Sequence, residues 1–293
     1  MATLSQWIAG ARPRTLPAAV APVVVGTAAA APLDRVNLGL GLLAVLVSLG
    51  LQVGVNYAND YSDGIRGTDT DRVGPVRLVG QHKAKAENVK LMAFAFFGAA
   101  ALVGLALVAI SEAWIMVPLG ALAVLAAWKY TGGDNPYGYR GLGELYVFVF
   151  FGLMATLGTL YTQAKELTAV GVLGAVGVGA IASAILVANN LRDIPTDRES
   201  GKLTLAVRLG DRGTRHLYLA LVAVAVAMVV AISTQHVFAL LALLALGVIA
   251  RPVRALLSGA TGRDLVPVLA STGIFEIVYA VLLAAGIALS LAV

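Results

Sequence analysis

No cysteine occurs in the 293 residues of this chain, and only three residues are histidine. The first absence excludes disulfides, a thiolate nucleophile, iron–sulfur clusters and cysteine-type zinc sites. The histidines, His82, His216 and His236, are too scattered for metal-ligand spacing and are expected at the surface. Charge is also scarce. Asp, Glu, Lys and Arg make up 13% of the chain, against about 25% in ordinary soluble proteins, and 59% of residues are hydrophobic. Such a chain has too few polar groups to cover itself in water. G-x-S-x-G, P-loop and H-E-x-x-H patterns are missing, and no nucleic-acid partner is expected. The start, MATLSQWIAGARPRTLP, has no short apolar run closed by a small-residue cleavage site, so the first span is expected to stay as an anchor.

What the chain does have is apolar stretches. A membrane-crossing helix needs about 20 mostly apolar residues, and nine segments suit: roughly 15–32, 37–58, 90–111, 113–129, 144–164, 168–190, 215–233, 237–256 and 266–291. The expectation is an all-α polytopic membrane protein with nine transmembrane helices. Placing the N-terminus in the cytoplasm puts 19 of the 21 Lys and Arg residues on the inner side, leaving only Arg35 and Lys165 outside. Losing one span would scramble that split.

Acidic residues are equally uneven. The stretch after the second span reads NYANDYSDGIRGTDTDRVGPVRL, and the stretch after the sixth reads NNLRDIPTDRESGKLTLAVRL. Both carry N-x-x-x-D (Asn56/Asp60 and Asn189/Asp193), then T-D-R, then V-R-L. Four spans separate them, which marks two pseudo-repeated Asp-rich cytoplasmic loops, 56–90 and 189–215, within one domain covering 1–293. Residues three or four apart share a helix face. Asp60 with Asp63, and Asp193 with Asp197, therefore project together, and Asn56 and Asn189 sit one turn deeper. Two facing carboxylate pairs repel unless a cation lies between them, and Mg²⁺ prefers carboxylate and phosphate oxygens. Arg66, Arg72, Arg77, Arg192 and Lys202, interleaved with Asn59, supply charge and donors for a diphosphate.

A third inner loop, KYTGGDNPYGYRGLGE, is Gly- and Pro-rich, and Lys129, Tyr130, Tyr137, Tyr139, Arg140 and Glu144 are candidates to line a site beside the acidic loops, Arg140 foremost. Arg12 and Arg14 lie at the inner surface, suited either to lipid headgroups or to an anionic substrate group. Glu276 falls in the middle of the last span, where an ionisable residue is a functional candidate by default.

These motifs resemble those of the UbiA superfamily of intramembrane aromatic prenyltransferases over nearly the whole chain. RPRTLPAAVAPVVVG, NYANDYSDGIRGTDTDRVGPVR and YTGGDNPYGYRGLGELYVFVFFG resemble its menaquinone branch, the 1,4-dihydroxy-2-naphthoate polyprenyltransferases. One departure is that the superfamily's N-x-x-x-D-x-x-x-D is here shortened, since Asp63 follows Asp60 by three, so that Asp63, Asp69 and Asp71 all stand as the second ligand. The resemblance implies Mg²⁺ held by Asp60, Asp63, Asp193 and Asp197, a polyprenyl diphosphate donor, a naphthoate substrate bound near Lys129, Tyr130, Tyr137 and Arg140, and a bacterial cell membrane with the site facing the cytoplasm. The alternatives are a family member acting on another substrate (4-hydroxybenzoate, a chlorophyllide, haem or a phosphoribose donor) and, from a different class, a secondary transporter.

Overall fold

A computed structural model describes residues 2–67 and 76–293, and every element among them is helical. Among the described residues, seven helices are long and apolar enough to cross a membrane: α3 (Leu38–Ile65), α4 (Ala86–Ser111), α6 (Gly143–Ala164), α7 (Ala169–Glu199), α8 (Leu205–Ser233), α9 (Val237–Leu257) and a last one that begins at Gly262, most of it α10 (Val266–Ala292). The chain is thus a multi-pass membrane protein. An eighth span counts if α1 (Leu4–Gly10) and α2 (Pro17–Ala28), which belong to a helix pair bent by 46°, cross together.

Two expected spans come out shorter. Residues 15–32 do not form one straight helix. Arg12 takes a left-handed conformation (φ 54°), Pro13–Thr15 make a 3-10 turn, and only then does Pro17 start a 12-residue helix. Residues 113–129 reduce to α5 (Met116–Lys129), 14 residues, because Ala113–Ile115 form the turn out of α4. Conversely, α7 runs ten residues past Asn189, so the second acidic motif sits on helix rather than loop. His236, expected at the surface, is buried where the chain turns into α9.

The apolar residues gather into two main packed groups. The larger joins α2, α7, α8, α9 and α10. The smaller joins α3 and α4 with Leu78, and Trp7 of α1 packs against it. At the α8–α9 end, Arg215 donates to Asp211 (2.7 Å) and to the carbonyls of Leu256 and Ala260, tying α8 to the C-terminal carbonyls of α9.

Close approach without side chains holds α6 against α7. A Cβ on Gly152 would lie 2.4 Å from Gly179 Cα, the small-residue packing common between membrane helices. That contact falls in a π-helical stretch, Phe148–Met154, inside α6. Gly152→Val should therefore cost about 1–3 kcal/mol or more and lower the melting temperature in detergent. Gly98→Ala, where an added Cβ meets nothing within 4 Å, should leave it unchanged.

Candidate active site

The first N-x-x-x-D motif occupies the last turns of α3, and Asn56, Asn59, Asp60 and Asp63 are all buried. Polar groups at such positions must find partners within the fold. Asn56 Nδ2 donates to the Ala11 carbonyl (2.8 Å) and to Thr15 Oγ1 (3.1 Å), where Gln52 Nε2 also donates (2.9 Å). These bonds brace the strained turn that carries Arg12. Asp60, with no exposed surface, accepts the backbone N–H groups of Leu78 (2.7 Å) and Val79 (3.0 Å). That anchors the returning chain and fixes the adjacent Arg77 at the cavity wall.

Three contacts from the same helix end hold the central loop. Thr131 Oγ1 donates to Asn59 Oδ1 (2.8 Å), the Arg66 guanidinium donates to the carbonyls of Thr131 and Gly133, and the Tyr139 hydroxyl donates to Asp63 Oδ1 (2.7 Å). Tyr139 is also where the two motifs meet. Arg66 lies 5.3 Å from its ring centroid, and Lys202, from the second motif, lies 5.0 Å from it. Lys202 in turn stands 3.9 Å from Asp197.

On α7, Arg192 is bidentate to its neighbour Asp193 (2.7 and 2.8 Å) and donates to Asn189 Oδ1 (2.8 Å). Both Arg192 and Asp193 are buried, and a charge pair of that kind is shielded from water and individually strong.

Between the two packed groups lies a cavity of about 510 Å³. Its polar end presents Arg12, Asn56, Asn59, Asp63, Arg77, Asn189 and Lys202. From there it follows α3 to Ala44, 19 residues away or roughly 28 Å at 1.5 Å per residue. That far stretch is walled by residues such as Val47, Gly104, Leu107 and Gly120. An aromatic ladder flanks the polar end: Tyr130 and Tyr137 edge to face (5.5 Å), Tyr137 and Tyr146 stacked (3.8 Å), then Phe150 (6.0 Å). Tyr137 donates to the Ala126 carbonyl (2.9 Å), and burial, helped by Tyr146, pushes its phenol well above the ordinary value, so it stays protonated.

Several expected site residues are placed otherwise. Lys129 and Arg140 are exposed and off the cavity wall, whereas Tyr130 and Tyr137 are on it. Arg66 uses its donors on loop carbonyls rather than facing the cavity. No three acidic side chains come together among the described residues, so the facing carboxylate pairs expected from spacing are not drawn into one cluster; Asp60 is turned to backbone N–H groups and Asp193 to Arg192. Arg72, Asp69 and Asp71 lie outside the described residues. Sequence reasoning gave Asn190, which lines the cavity, no role, and it placed Tyr139 beside the acidic loops without its contact to Asp63.

A cavity with cations and oxygen donors at one end and an apolar run at the other suits an anionic head on a long hydrocarbon tail. Residues 19–266 match the UbiA prenyltransferase family. The chain belongs to that family. It is 51% identical over 288 residues to the 1,4-dihydroxy-2-naphthoate octaprenyltransferase of Mycobacterium tuberculosis, covering 98% of each chain. The Escherichia coli protein of the same name is 39% identical over 221 residues, 73% of this chain and 72% of its own. Among solved structures, a UbiA homolog from Aeropyrum pernix K1 superposes with a TM-score of 0.68 at 17% identity, covering 99% of this chain and 100% of that one. A UbiA homolog from Archaeoglobus fulgidus bound to GPP and Mg²⁺ gives 0.63 at 14%, covering 97% and 99%. At such identities the likeness is one of fold. The 39–51% relatives make this UbiA member a prenyltransferase, with its motifs at one end of the cavity.

Tyr139→Phe removes the hydroxyl that donates to Asp63 while keeping the ring beside Arg66 and Lys202. Steady-state prenyl transfer in membranes should fall about tenfold, in line with the loss of one charge-assisted hydrogen bond, and Tyr139→Ala should fall further.

Proposed function

We propose that this protein transfers a polyprenyl group from a polyprenyl diphosphate to 1,4-dihydroxy-2-naphthoate, releasing diphosphate and CO₂ and giving demethylmenaquinol, the reduced form of demethylmenaquinone. The observation that carries the reading is the cavity itself, which joins a cationic, oxygen-rich end to a long apolar run. The acceptor follows the naphthoate relatives at 39–51% identity.

Mg²⁺ fits the donor set. Asp63, Asn56 and Asn189 present oxygen atoms at the cavity wall, and Asp60, Asp193 and Asp197 stand behind them in the two motifs. Mg²⁺ uses one or two carboxylates together with substrate phosphates and water, so a diphosphate bridging the two motifs requires no three-carboxylate cluster. Bound there, the ion supplies Lewis-acid stabilisation of charge developing on the leaving group. Arg12, Arg77 and Lys202 add charge for the phosphate oxygens at the same end, and Arg192 holds Asp193 and Asn189 in place behind them. As the C1–O bond of the donor breaks, the electron pair leaves with the diphosphate. The Tyr130–Tyr137–Tyr146–Phe150 ladder presents π faces that favour the allylic cation and exclude water that would quench it. The naphthoate ring carbon bonds to C1, and loss of the carboxylate as CO₂ returns its electron pair to the ring.

The helices are arranged as nine spans, α1–α2 and α5 included, with the N-terminus and both motifs on the cytoplasmic side of the bacterial cell membrane. The split of basic residues supports that orientation. The whole chain acts as one domain, with the two motifs as its repeated halves. A transporter would carry its ionisable groups near the midplane along a path. The deep Glu276 is fully buried and off the cavity wall, which favours the enzyme.

Mass spectrometry of the product from dihydroxynaphthoate and a series of polyprenyl diphosphates tests the reading directly: prenylated, decarboxylated naphthoquinol is expected, and product only from another phenol would overturn the choice of acceptor. EDTA should abolish turnover and added Mg²⁺ restore it. Asp63→Asn should lower turnover at least a hundredfold with melting temperature retained. Asp60→Asn should lower both, because the amide replaces one acceptor oxygen that now receives a backbone N–H.

A further inference from the structure

Glu144 stands in the first turn of α6, 7% exposed, and takes no part in the site described so far. Its Oε1 accepts a hydrogen bond from Asn190 Nδ2 (2.9 Å). Its Oε2 is buried and, among the described residues, has no partner. Ser183 Oγ donates to the Glu144 backbone carbonyl (3.2 Å), locking this turn of α6 onto α7. A buried carboxyl with one oxygen unsatisfied costs about 1–3 kcal/mol, so the position calls for an account.

Asn190 supplies it. Its side chain is 4% exposed and lines the cavity beside Asn189 and Lys202, close to the aromatic ladder. A carboxamide has a donor side and an acceptor side. The Glu144 oxygen facing it accepts from the NH₂, which turns the amide oxygen away from Glu144 and toward the cavity. Leucine or alanine at position 144 would leave the amide free to rotate; the carboxyl group removes that freedom.

We infer that Glu144 is a positioning residue for the aromatic substrate, holding Asn190 so that its Oδ1 accepts a hydrogen bond from a ring hydroxyl of that substrate. The inference rests on the prenyl-transfer reading above and deepens it. A dihydroxylated naphthoate carries two hydroxyl donors and one carboxylate. One hydroxyl meets Asn190 Oδ1, the carboxylate lies toward the Lys202 end, and the ring faces Tyr146. Glu144 never touches the substrate and acts through Asn190 alone.

The test is a split of Michaelis constants in enzyme purified into lipid nanodiscs with Mg²⁺. Glu144→Leu should raise KM for dihydroxynaphthoate about tenfold, which is about 1.4 kcal/mol and the size of one net hydrogen bond. KM for polyprenyl diphosphate should stay within twofold. Glu144→Gln retains an accepting oxygen and should raise KM for the naphthoate less than threefold. Asn190→Ala should match Glu144→Leu, and the double variant should be no worse than either single. Both KM values rising together, or additive losses in the double variant, would overturn the inference. Should Glu144→Leu not accumulate, Asn190→Ala decides: KM for the naphthoate within twofold of the parent sinks it. If the parent enzyme prenylates a different hydroxyarene, the choice of naphthoate falls, and the same split measured on that substrate still decides the role of Glu144.

Discussion

Polar side chains buried on an apolar helix are costly unless they find partners inside the fold, and this requirement organises the catalytic end of the molecule. Asp60 shows it most clearly. A carboxylate without exposed surface takes two backbone N–H groups, from Leu78 and Val79, and so draws the chain returning toward α4 back under α3. Leu78 then packs in the smaller apolar group, within reach of Gly10 and Tyr57, and Arg77 is left at the cavity wall. Asn56, one turn deeper, does the same for the strained turn at Arg12. The acidic motif thus places arginines as well as carboxylates.

The central loop extends the logic to the second motif. Asn59, Asp63 and Arg66 each grip it, and it answers with Tyr139, whose hydroxyl reaches one motif while its ring faces the Lys202 of the other. Two halves that share no helix are therefore joined through one aromatic side chain. A diphosphate between them would meet charge from both sides at a fixed separation, which is what preorganised stabilisation of a leaving group requires.

Much of this was legible in the chain. Hydropathy located the long helices, and spacing of three and four placed Asn56 with Asp60 and Asn189 with Asp193 on shared faces. Spacing says which side chains point the same way; it does not say what they will meet. Arg66 looked like a phosphate ligand because it follows an acidic pair, yet it lies at the helix end where carbonyls of Thr131 and Gly133 come within reach. Arg140 and Lys129 looked equally apt, but the 3-10 turn Tyr137–Arg140 and the end of α5 aim them outward. The broken first span and the short fifth helix were hidden because apolar composition does not register a left-handed residue or a turn. The π-helical stretch in α6 has no sequence signature at all, although it sets Phe150 and Phe151 on the cavity wall.

The polarity gradient along the cavity divides the chemistry by position. Charge is confined to the last turns of α3 and α7 and the loops they hold, while the wall toward Ala44 and Leu107 carries none. A diphosphate entering from the apolar side would leave its solvation without compensation, so only the tail can occupy that stretch, and the reactive carbon is held where head and tail join. The aromatic ladder lies beside that junction. An allylic cation formed there would have π faces alongside it and little bulk water, and the proposed place for the second substrate, between the ladder and the amide of Asn190, adjoins it.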